Sequence, residues 1–400
     1  MNNEKASLMK VDSQKQSFSK VHFLKSVPLL NVQLVPLVTV LIILSIIFQV
    51  LTQGLFLSPR NLTNLSGQVT ITAMLAAGSV LVMIPGYIDL SPGATVAASA
   101  VVAALASNVY GLSFWPTVGI TLMFGLMVGV WHAFWVAWMR VPAFIVTLAS
   151  LLAISGFSLL ITNAETISPS PAILVIANAS LTPILSVVVL LLFWIVFSFM
   201  QVREWRARVA AKIKTSFGSV VMFPVAACGL VILGAIIVTA GYRGMPIPAF
   251  ITLVVIAITG GLLRYASFGR RILAIGGNRQ AAELAGINVR MYTSIVFIGM
   301  GLLYGLAGLI LVARLDSAPP NADSGLELSV IAAAVIGGTS LLGGRGTIAG
   351  AVLGAVLLEA LANGMSLMNL PSAYQTITVG LVLLLAVYAD VRRRRGRQLL

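Results

Sequence analysis

The side chains best able to do chemistry in this chain are a few polar groups inside long apolar segments. Asp89 and Ser91 stand just before a Pro-Gly pair, and Glu359 and Asn363 lie four residues apart, on one face of a helix. A polar group at membrane depth is costly, so it usually faces a cavity or bonds to a neighbouring helix. Asp89 or Ser91 could also cap a helix by accepting a free backbone N–H. Solute contact and a structural role are therefore both open for each pair.

The sequence contains no recognisable catalytic constellation. His132 stands alone in an apolar segment, far from His22, and no Ser/His or paired-Asp arrangement occurs at membrane depth. The single cysteine, Cys228, can build neither a disulfide nor a cysteine-ligated metal site within one chain. We therefore predict no catalytic residue, no metal and no cofactor, and we expect His132 to serve in packing.

A glycine-rich stretch at 336–346 contains Thr339 and Ser340 and superficially resembles a phosphate-binding loop. It lacks the Lys-Ser or Lys-Thr pair of such a loop, and it lies between apolar segments rather than after a strand. Its glycines would let backbones approach and the chain turn inside a membrane, and small residues spaced four apart continue into the next segment. We predict close packing around a broken helix here.

The elements that must position these residues are membrane helices. Hydrophobic residues make up 59% of the 400 residues and charged residues only 9%, whereas soluble globular proteins carry about a quarter charged residues. A helix needs roughly 20 apolar residues to cross the hydrocarbon core of a bilayer. A water-soluble fold is thus excluded, and an all-α integral membrane protein is expected.

Twelve apolar segments predict about 12 membrane helices, with 10–12 as the range. They fall at about 32–56, 67–85, 92–107, 115–139, 143–162, 181–201, 216–240, 247–264, 291–312, 327–342, 347–364 and 372–390. The third and tenth segments are short and border loops rich in Gly and Pro. A membrane helix tolerates such loops only where protein or water satisfies the freed backbone groups. We therefore expect broken or re-entrant helices at these two segments.

Basic residues fall almost entirely on one side of this map. With the N-terminus in the cytoplasm, all but four of the 25 Lys and Arg residues lie in cytoplasmic segments, an excess typical of that side. The exceptions are Arg60, Arg243, Arg314 and Arg345. The expected organisation is a basic tail at 1–28, a transmembrane domain at 29–390 and an Arg-rich tail at 391–400, with both termini cytoplasmic. The net charge of +14 then suits anionic lipid headgroups, and nucleic-acid binding is not expected.

The predicted cytoplasmic loop at 265–290 is long, basic and patterned. Asn278 can cap a helix, 280–285 favours one, and Gly286 can end it, so a short amphipathic helix along the inner membrane surface is expected. A loop that only joins two helices needs no such pattern. We therefore predict that this loop, which we call the coupling loop, docks into a cytoplasmic partner. The candidate contact residues are Arg279, Gln280, Ala281, Ala282, Glu283 and Gly286.

Five motifs together resemble the permease subunits of bacterial ATP-binding cassette importers for simple sugars, the ribose and xylose group. They are Ile88-Asp89-Leu90-Ser91-Pro92-Gly93, Val141 to Leu148, Phe268 to Gly286, Gly337 to Leu341, and Asn363-Gly364-Met365-Ser366. The resemblance covers about 58–390. The last motif and the extra pair of spans around the basic 203–214 loop are most similar to xylose permeases. Pro92 departs from the pattern, which has a small or aliphatic residue there.

This resemblance implies a permease that moves a simple sugar, xylose first, across the bacterial inner membrane without hydrolysing ATP itself. The implied partners are a second copy of this chain, a separate cytoplasmic ATPase and a soluble sugar-binding protein at the outer face. Ala281, Ala282 and Gly286 fall where the family's coupling helix enters the ATPase. A sparsely polar substrate path would be lined by Asp89, Ser91, Thr339, Ser340, Glu359 and Asn363.

Two alternatives stay open. The solute could be ribose or another small sugar-like molecule, since nothing in the spans discriminates between such sugars. An ion-coupled secondary transporter usually needs paired carboxylates or basic groups as a relay, and only Asp89 and Glu359 qualify.

Overall fold

The computed structural model describes residues 31–213, 215–322 and 325–398, with side chains from 35 to 388. The predicted tail at 1–28 lies outside these residues. In the described ranges the chain is helical, and β-structure is limited to two isolated bridges. The all-α prediction is therefore confirmed for the described chain.

Fifteen α-helices follow one another in the described chain. The first seven are α1 (Asn31–Leu51), α2 (Pro59–Met83), α3 (Pro92–Ala104), α4 (Phe114–Ala133), α5 (Ala143–Thr162), α6 (Pro171–Asn178) and α7 (Pro183–Ala210). The next eight are α8 (Phe223–Ala240), α9 (Ile247–Arg264), α10 (Ser267–Gly277), α11 (Arg279–Leu284), α12 (Val289–Leu315), α13 (Leu326–Ile336), α14 (Ile348–Leu367) and α15 (Ser372–Gln398). Single π-helical turns extend α3 (Leu105–Val109) and α4 (Phe134–Trp138) and precede α8 (Gly218–Met222).

Every one of the twelve apolar segments forms a helix, but the described residues contain nine helices long and apolar enough to cross a membrane. These are α2, α3, α4, α5, α7, α8, α9, α12 and α14, where α3, α4 and α8 are counted with their π turns. Three further apolar helices, α1, α13 and α15, are shorter within the residues whose side chains are described. The part of the chain that the structure describes thus contains nine candidate spans.

The two segments expected to be broken behave differently. α13 has only 11 residues, and the non-helical stretch 337–347 separates it from α14, as predicted. α3 begins after the non-helical stretch 84–91 but is not short, because its π turn brings it to 18 residues. The prediction of a short third helix is therefore wrong, while the break before it is present.

Local sequence explains where α2 begins, eight residues before the apolar segment predicted from hydropathy. Ser58 caps the helix, with its hydroxyl accepting the Asn61 N–H at 3.3 Å, and Pro59 occupies the first helical position, where no N–H is needed. The polar first turns of α2 are invisible to a hydropathy profile.

The chain forms two compact units. One contains residues 190–233, from the α7–α8 hairpin, and the other contains 37–189 and the residues from 234 onward. Inside the smaller unit, the Trp194 indole N–H donates to the Val225 carbonyl at 3.0 Å and packs on Gly229. The larger unit contains every candidate site residue.

α12 is the central helix of the larger unit and packs against α2, α3, α4 and α6. Because glycines lie where α12 meets α4, the two backbones are in direct contact. A Cβ on Gly125 would lie 2.4 Å from the Gly301 carbonyl oxygen, and a Cβ on Gly129 would lie 2.6 Å from the Phe297 carbonyl oxygen. Such small-residue faces allow close approach where lipid gives no hydrophobic drive for helix association.

Candidate functional site

Asp89 lies in the non-helical stretch before α3 and is only 3% exposed. Its Oδ1 accepts hydrogen bonds from the Ser91 N–H at 2.9 Å and the Ser91 hydroxyl at 2.7 Å. Its Oδ2 accepts one from the Tyr304 hydroxyl of α12. Because the chain itself supplies donors to both oxygens, the carboxylate is satisfied in this conformation without a solute.

The same stretch is anchored from α5 by Thr147. The Leu90 N–H donates to the Thr147 hydroxyl oxygen at 3.1 Å, and that hydroxyl lies 3.0 Å from the Ala143 carbonyl oxygen in its own helix. Pro92 is the first residue of α3, where its missing N–H costs nothing, so this departure from the family pattern fits the local geometry.

Sequence reasoning missed Tyr304, the fully buried partner of Asp89. A signal was present, because a tyrosine in the middle of a long apolar helix needs a hydrogen-bond partner for its hydroxyl. The pattern could not name that partner, since Asp89 precedes Tyr304 by 215 residues.

Glu359 and Asn363 lie one turn apart on α14 and both bond to α2. The amides of Asn363 and Asn61 exchange two hydrogen bonds, of 2.8 and 3.2 Å, and Asn363 also donates to the Gln68 side-chain oxygen at 3.2 Å. The Thr72 hydroxyl donates to Glu359. These five residues form the α2–α14 polar seam. Hydrogen bonding between helices, one of the two roles left open for this pair, is thus present.

Thr339 and Ser340 lie in the break between α13 and α14 and are 1% and 2% exposed. The Ser340 N–H donates to the Arg345 carbonyl at 3.0 Å, which closes a tight loop. A Cβ on Gly346 would lie 3.0 Å from both the Thr339 and the Val80 side chains. Close packing around a broken helix, as expected for this glycine-rich stretch, is what the structure contains.

The six predicted path residues therefore occupy three places: the α2–α3 connection, the α2–α14 polar seam and the α13–α14 break. All except the partly exposed Glu359 are buried, at 5% exposure or less. His132 is also fully buried, with its ring 5.9 Å from that of Phe297, in agreement with a packing role. In this conformation, contact between a solute and the buried five would require helices to move.

The coupling loop contains the predicted short helix as α11. The Asn278 side chain caps it by accepting the Ala281 N–H at 3.0 Å, and Gly286 follows with a φ of +80°. Ala282 faces the chain itself and is 4% exposed, whereas Leu284 is 90% exposed. The remaining predicted contact residues, Arg279, Gln280, Ala281, Glu283 and Gly286, are exposed. The capping pattern does not predict the exposure of Leu284. It also does not predict α10, the amphipathic helix before α11.

Comparison with known proteins gives consistent matches. A family model described as "Branched-chain amino acid transport system / permease component" matches residues 61–387. The xylose transport system permease protein XylH of Escherichia coli (strain K12) is 41% identical over 381 residues, which cover 92% of this chain and 93% of that protein. XylH of Haemophilus influenzae is 40% identical, over 93% and 99%. The ribose import permease protein RbsC of Escherichia coli (strain K12) is 33% identical, over 85% and 88%. No solved structure matches this chain.

The matched residues include all three groups of path residues and the whole coupling loop. The relatives are named as permease proteins of transport systems and not as enzymes. Together with the nine candidate spans, these matches make the chain a multi-pass inner-membrane protein. The resemblance identified from the motifs is confirmed, and the chain belongs to the family of transport-system permease components that this family model describes.

Proposed function

We propose that this chain is the membrane-spanning subunit of an ATP-binding cassette importer that carries xylose across the bacterial inner membrane. The observation that carries the proposal is the 41% identity to XylH over 92% of the chain. The match to RbsC is weaker, at 33%, so ribose ranks second. The family description names branched-chain amino acids, but the same chain matches sugar permeases over most of their length, which favours a sugar.

Uptake measurements test this proposal. The chain is produced with a cognate ATPase and a cognate secreted binding protein, in a host that lacks its own xylose and ribose importers. We expect uptake of labelled xylose that exceeds uptake of ribose and requires the ATPase. Preferred ribose uptake would overturn the assignment of xylose. Uptake that persists without the ATPase and collapses with an uncoupler would favour an ion-coupled transporter instead.

The proposed assembly is a homodimer of this chain with two ATPase copies inside and the binding protein outside, as in the family it resembles. The ATPase would contact the exposed face of α11. Leu284, Gln280 and Ala281 lie on that face, and the 90% exposed Leu284 offers an apolar side chain that a partner could bury.

The proposed topology has twelve crossings and both termini in the cytoplasm. α1 and α15 have 21 and 27 residues, about 30 Å or more at 1.5 Å per residue, which is enough to cross. α13 covers only about half of that thickness, so the non-helical stretch after it would complete the crossing. The basic segments then lie on the inner side, where anionic lipid headgroups are proposed to bind them.

The domain organisation proposed here is a transmembrane domain at 29–390 between cytoplasmic tails at 1–28 and 391–400. The backbone of 391–398 continues α15. Within this domain, the six polar residues of the predicted path would act when helices separate. Asp89, Ser91 and Asn363 would then exchange side-chain hydrogen bonds within the chain for bonds to the hydroxyl groups of a sugar, and such an exchange needs little net energy.

A further inference from the structure

Three parts of the chain that are remote in sequence, one of them in the coupling loop, meet through backbone contacts. The Gly344 N–H, in the α13–α14 break, donates to the Ile84 carbonyl in the α2–α3 connection at 2.8 Å. Gly276, near the end of α10, packs against both. A Cβ on Gly276 would lie 1.8 Å from the Ile84 oxygen and 2.6 Å from the Gly344 nitrogen. We call Ile84, Gly276 and Gly344 the glycine junction.

A neighbouring glycine tightens the junction further. Gly343 has a φ of +84°, and a Cβ on it would lie 2.8 Å from the Ile84 oxygen and 3.0 Å from the Gly86 Cα atom. A side chain at this position would be excluded both by backbone conformation and by space. The two non-helical stretches are thus locked to each other as well as to α10.

A side-chain contact joins the coupling loop to the α2–α3 connection at a second point. The Arg279 guanidinium, at the start of α11, donates to the Tyr87 hydroxyl at 3.2 Å. That hydroxyl lies 3.0 Å from the Thr293 hydroxyl of α12, and the Tyr87 ring packs 5.7 Å from the ring of Phe297. Asp89 follows Tyr87 by two residues. One hydrogen bond and a short piece of backbone therefore connect the coupling loop to the Asp89–Tyr304 pair.

We propose that the glycine junction transfers movement of the coupling loop to both interrupted helices, with Gly276 and Tyr87 as positioning residues of the transport cycle. The inference rests on the proposed function, in which the ATPase moves α11. Contacts between backbones have no rotamers that could absorb a displacement, and closely packed interfaces respond by discrete shifts. A push on α10 and α11 therefore moves the α2–α3 connection and the α13–α14 break together.

Two adjacent glycines give a matched test. Gly277 follows Gly276, neither has a positive φ, and a Cβ on Gly277 meets nothing within 4 Å. In the complete complex, Gly276→Ala should lower uptake about tenfold, the size of an ordinary coupling effect, while ATP hydrolysis stays near wild type. Gly277→Ala should leave both unchanged. Equal uptake by the two variants would refute the proposal, and so would a proportional loss of hydrolysis and uptake in Gly276→Ala.

Tyr87→Phe supplies a variant without added bulk, which decides the matter if Gly276→Ala fails to reach the membrane. It removes the hydroxyl that Arg279 and Thr293 share, so we expect the same loss of uptake with retained hydrolysis. Tyr110→Phe, at a tyrosine that is 74% exposed, is the control. Uptake by Tyr87→Phe equal to that of the control would count against the junction.

A readout that needs no sugar separates this inference from the proposed function. Cys228 is the single cysteine, so Cys228→Ser gives a background for Leu342→Cys, whose parent side chain is 76% exposed beside the junction. In the purified complex, a non-hydrolysable ATP analogue should change the rate at which a charged maleimide labels this cysteine. The change should occur with Gly277→Ala and be lost with Gly276→Ala. A nucleotide-dependent change without uptake of xylose or ribose would overturn only the assigned substrate, and a nucleotide-dependent change that is equal in both variants would overturn only the junction.

Discussion

Asp89 is a carboxylate buried among donors from its own chain, and its surroundings show how single residues hold the α2–α3 connection. Ser91 supplies an N–H and a hydroxyl to one oxygen, while Tyr304 supplies the donor to the other. A buried polar group left without its partner costs about 1–3 kcal/mol, so each of these bonds matters individually.

Tyr304→Phe removes the hydroxyl that donates to Asp89 and lies 3.3 Å from the Ser91 hydroxyl, without leaving a large cavity. We expect a loss of about 1–3 kcal/mol of stability, because one Asp89 oxygen would remain buried without a donor. Thermal unfolding of the purified protein in detergent measures the change as a lower midpoint. Tyr374→Phe, at a tyrosine that is 55% exposed, should unfold like the wild type. Equal midpoints for the two variants would show that the Tyr304 bond contributes nothing.

At the scale of elements, apolar runs predict helices well and their contacts poorly. α9 begins and ends at the residues that hydropathy predicts, since apolar residues fill it from Ile247 to its basic end at Arg264. α2 begins earlier than predicted because a serine cap and a proline, not apolar residues, start it. The α2–α14 polar seam follows from an i, i+4 pair on α14, but its partners on α2 are 295 and 302 residues away along the chain. Pairings over such separations depend on the tertiary arrangement, which one sequence does not contain.

The glycine contact between α4 and α12 makes an element-scale prediction. A Cβ on Gly301 would lie 2.5 Å from the Gly125 carbonyl oxygen, whereas one on Gly299 of the same helix meets nothing within 4 Å. Gly301→Ala should therefore push the helices apart and destabilise the fold by about 1–3 kcal/mol. Gly299→Ala should be neutral or slightly stabilising, because alanine favours a helix.

Recovery of folded protein after detergent extraction and its unfolding midpoint distinguish these two variants. A Gly301→Ala protein as stable as Gly299→Ala would mean that α4 and α12 are not in backbone contact.

At the scale of the whole molecule, the distribution of charge carries information that hydropathy lacks. Hydropathy and helix length give nine candidate spans in the described residues, an odd number that would put the chain ends on opposite sides. The basic residues instead favour an even number, because they flank alternate ends of the helices. If α1, α13 and α15 also cross the membrane, the number of crossings becomes twelve, which agrees with the distribution of basic residues. The orientation of the chain also decides whether α11 lies on the cytoplasmic side, where ATP is present.

Labelling from outside the cell tests this orientation. In the Cys228→Ser background, Ala285→Cys lies after α11 and Glu165→Cys lies after α5, both at exposed positions. With twelve crossings, a membrane-impermeant maleimide added to intact cells should label the cysteine at 165 and not the one at 285. Disruption of the membrane should make both reactive, which controls for burial. Labelling at 285 in intact cells would place the coupling loop outside, away from any ATPase, and would refute both the proposed topology and the proposed energy source.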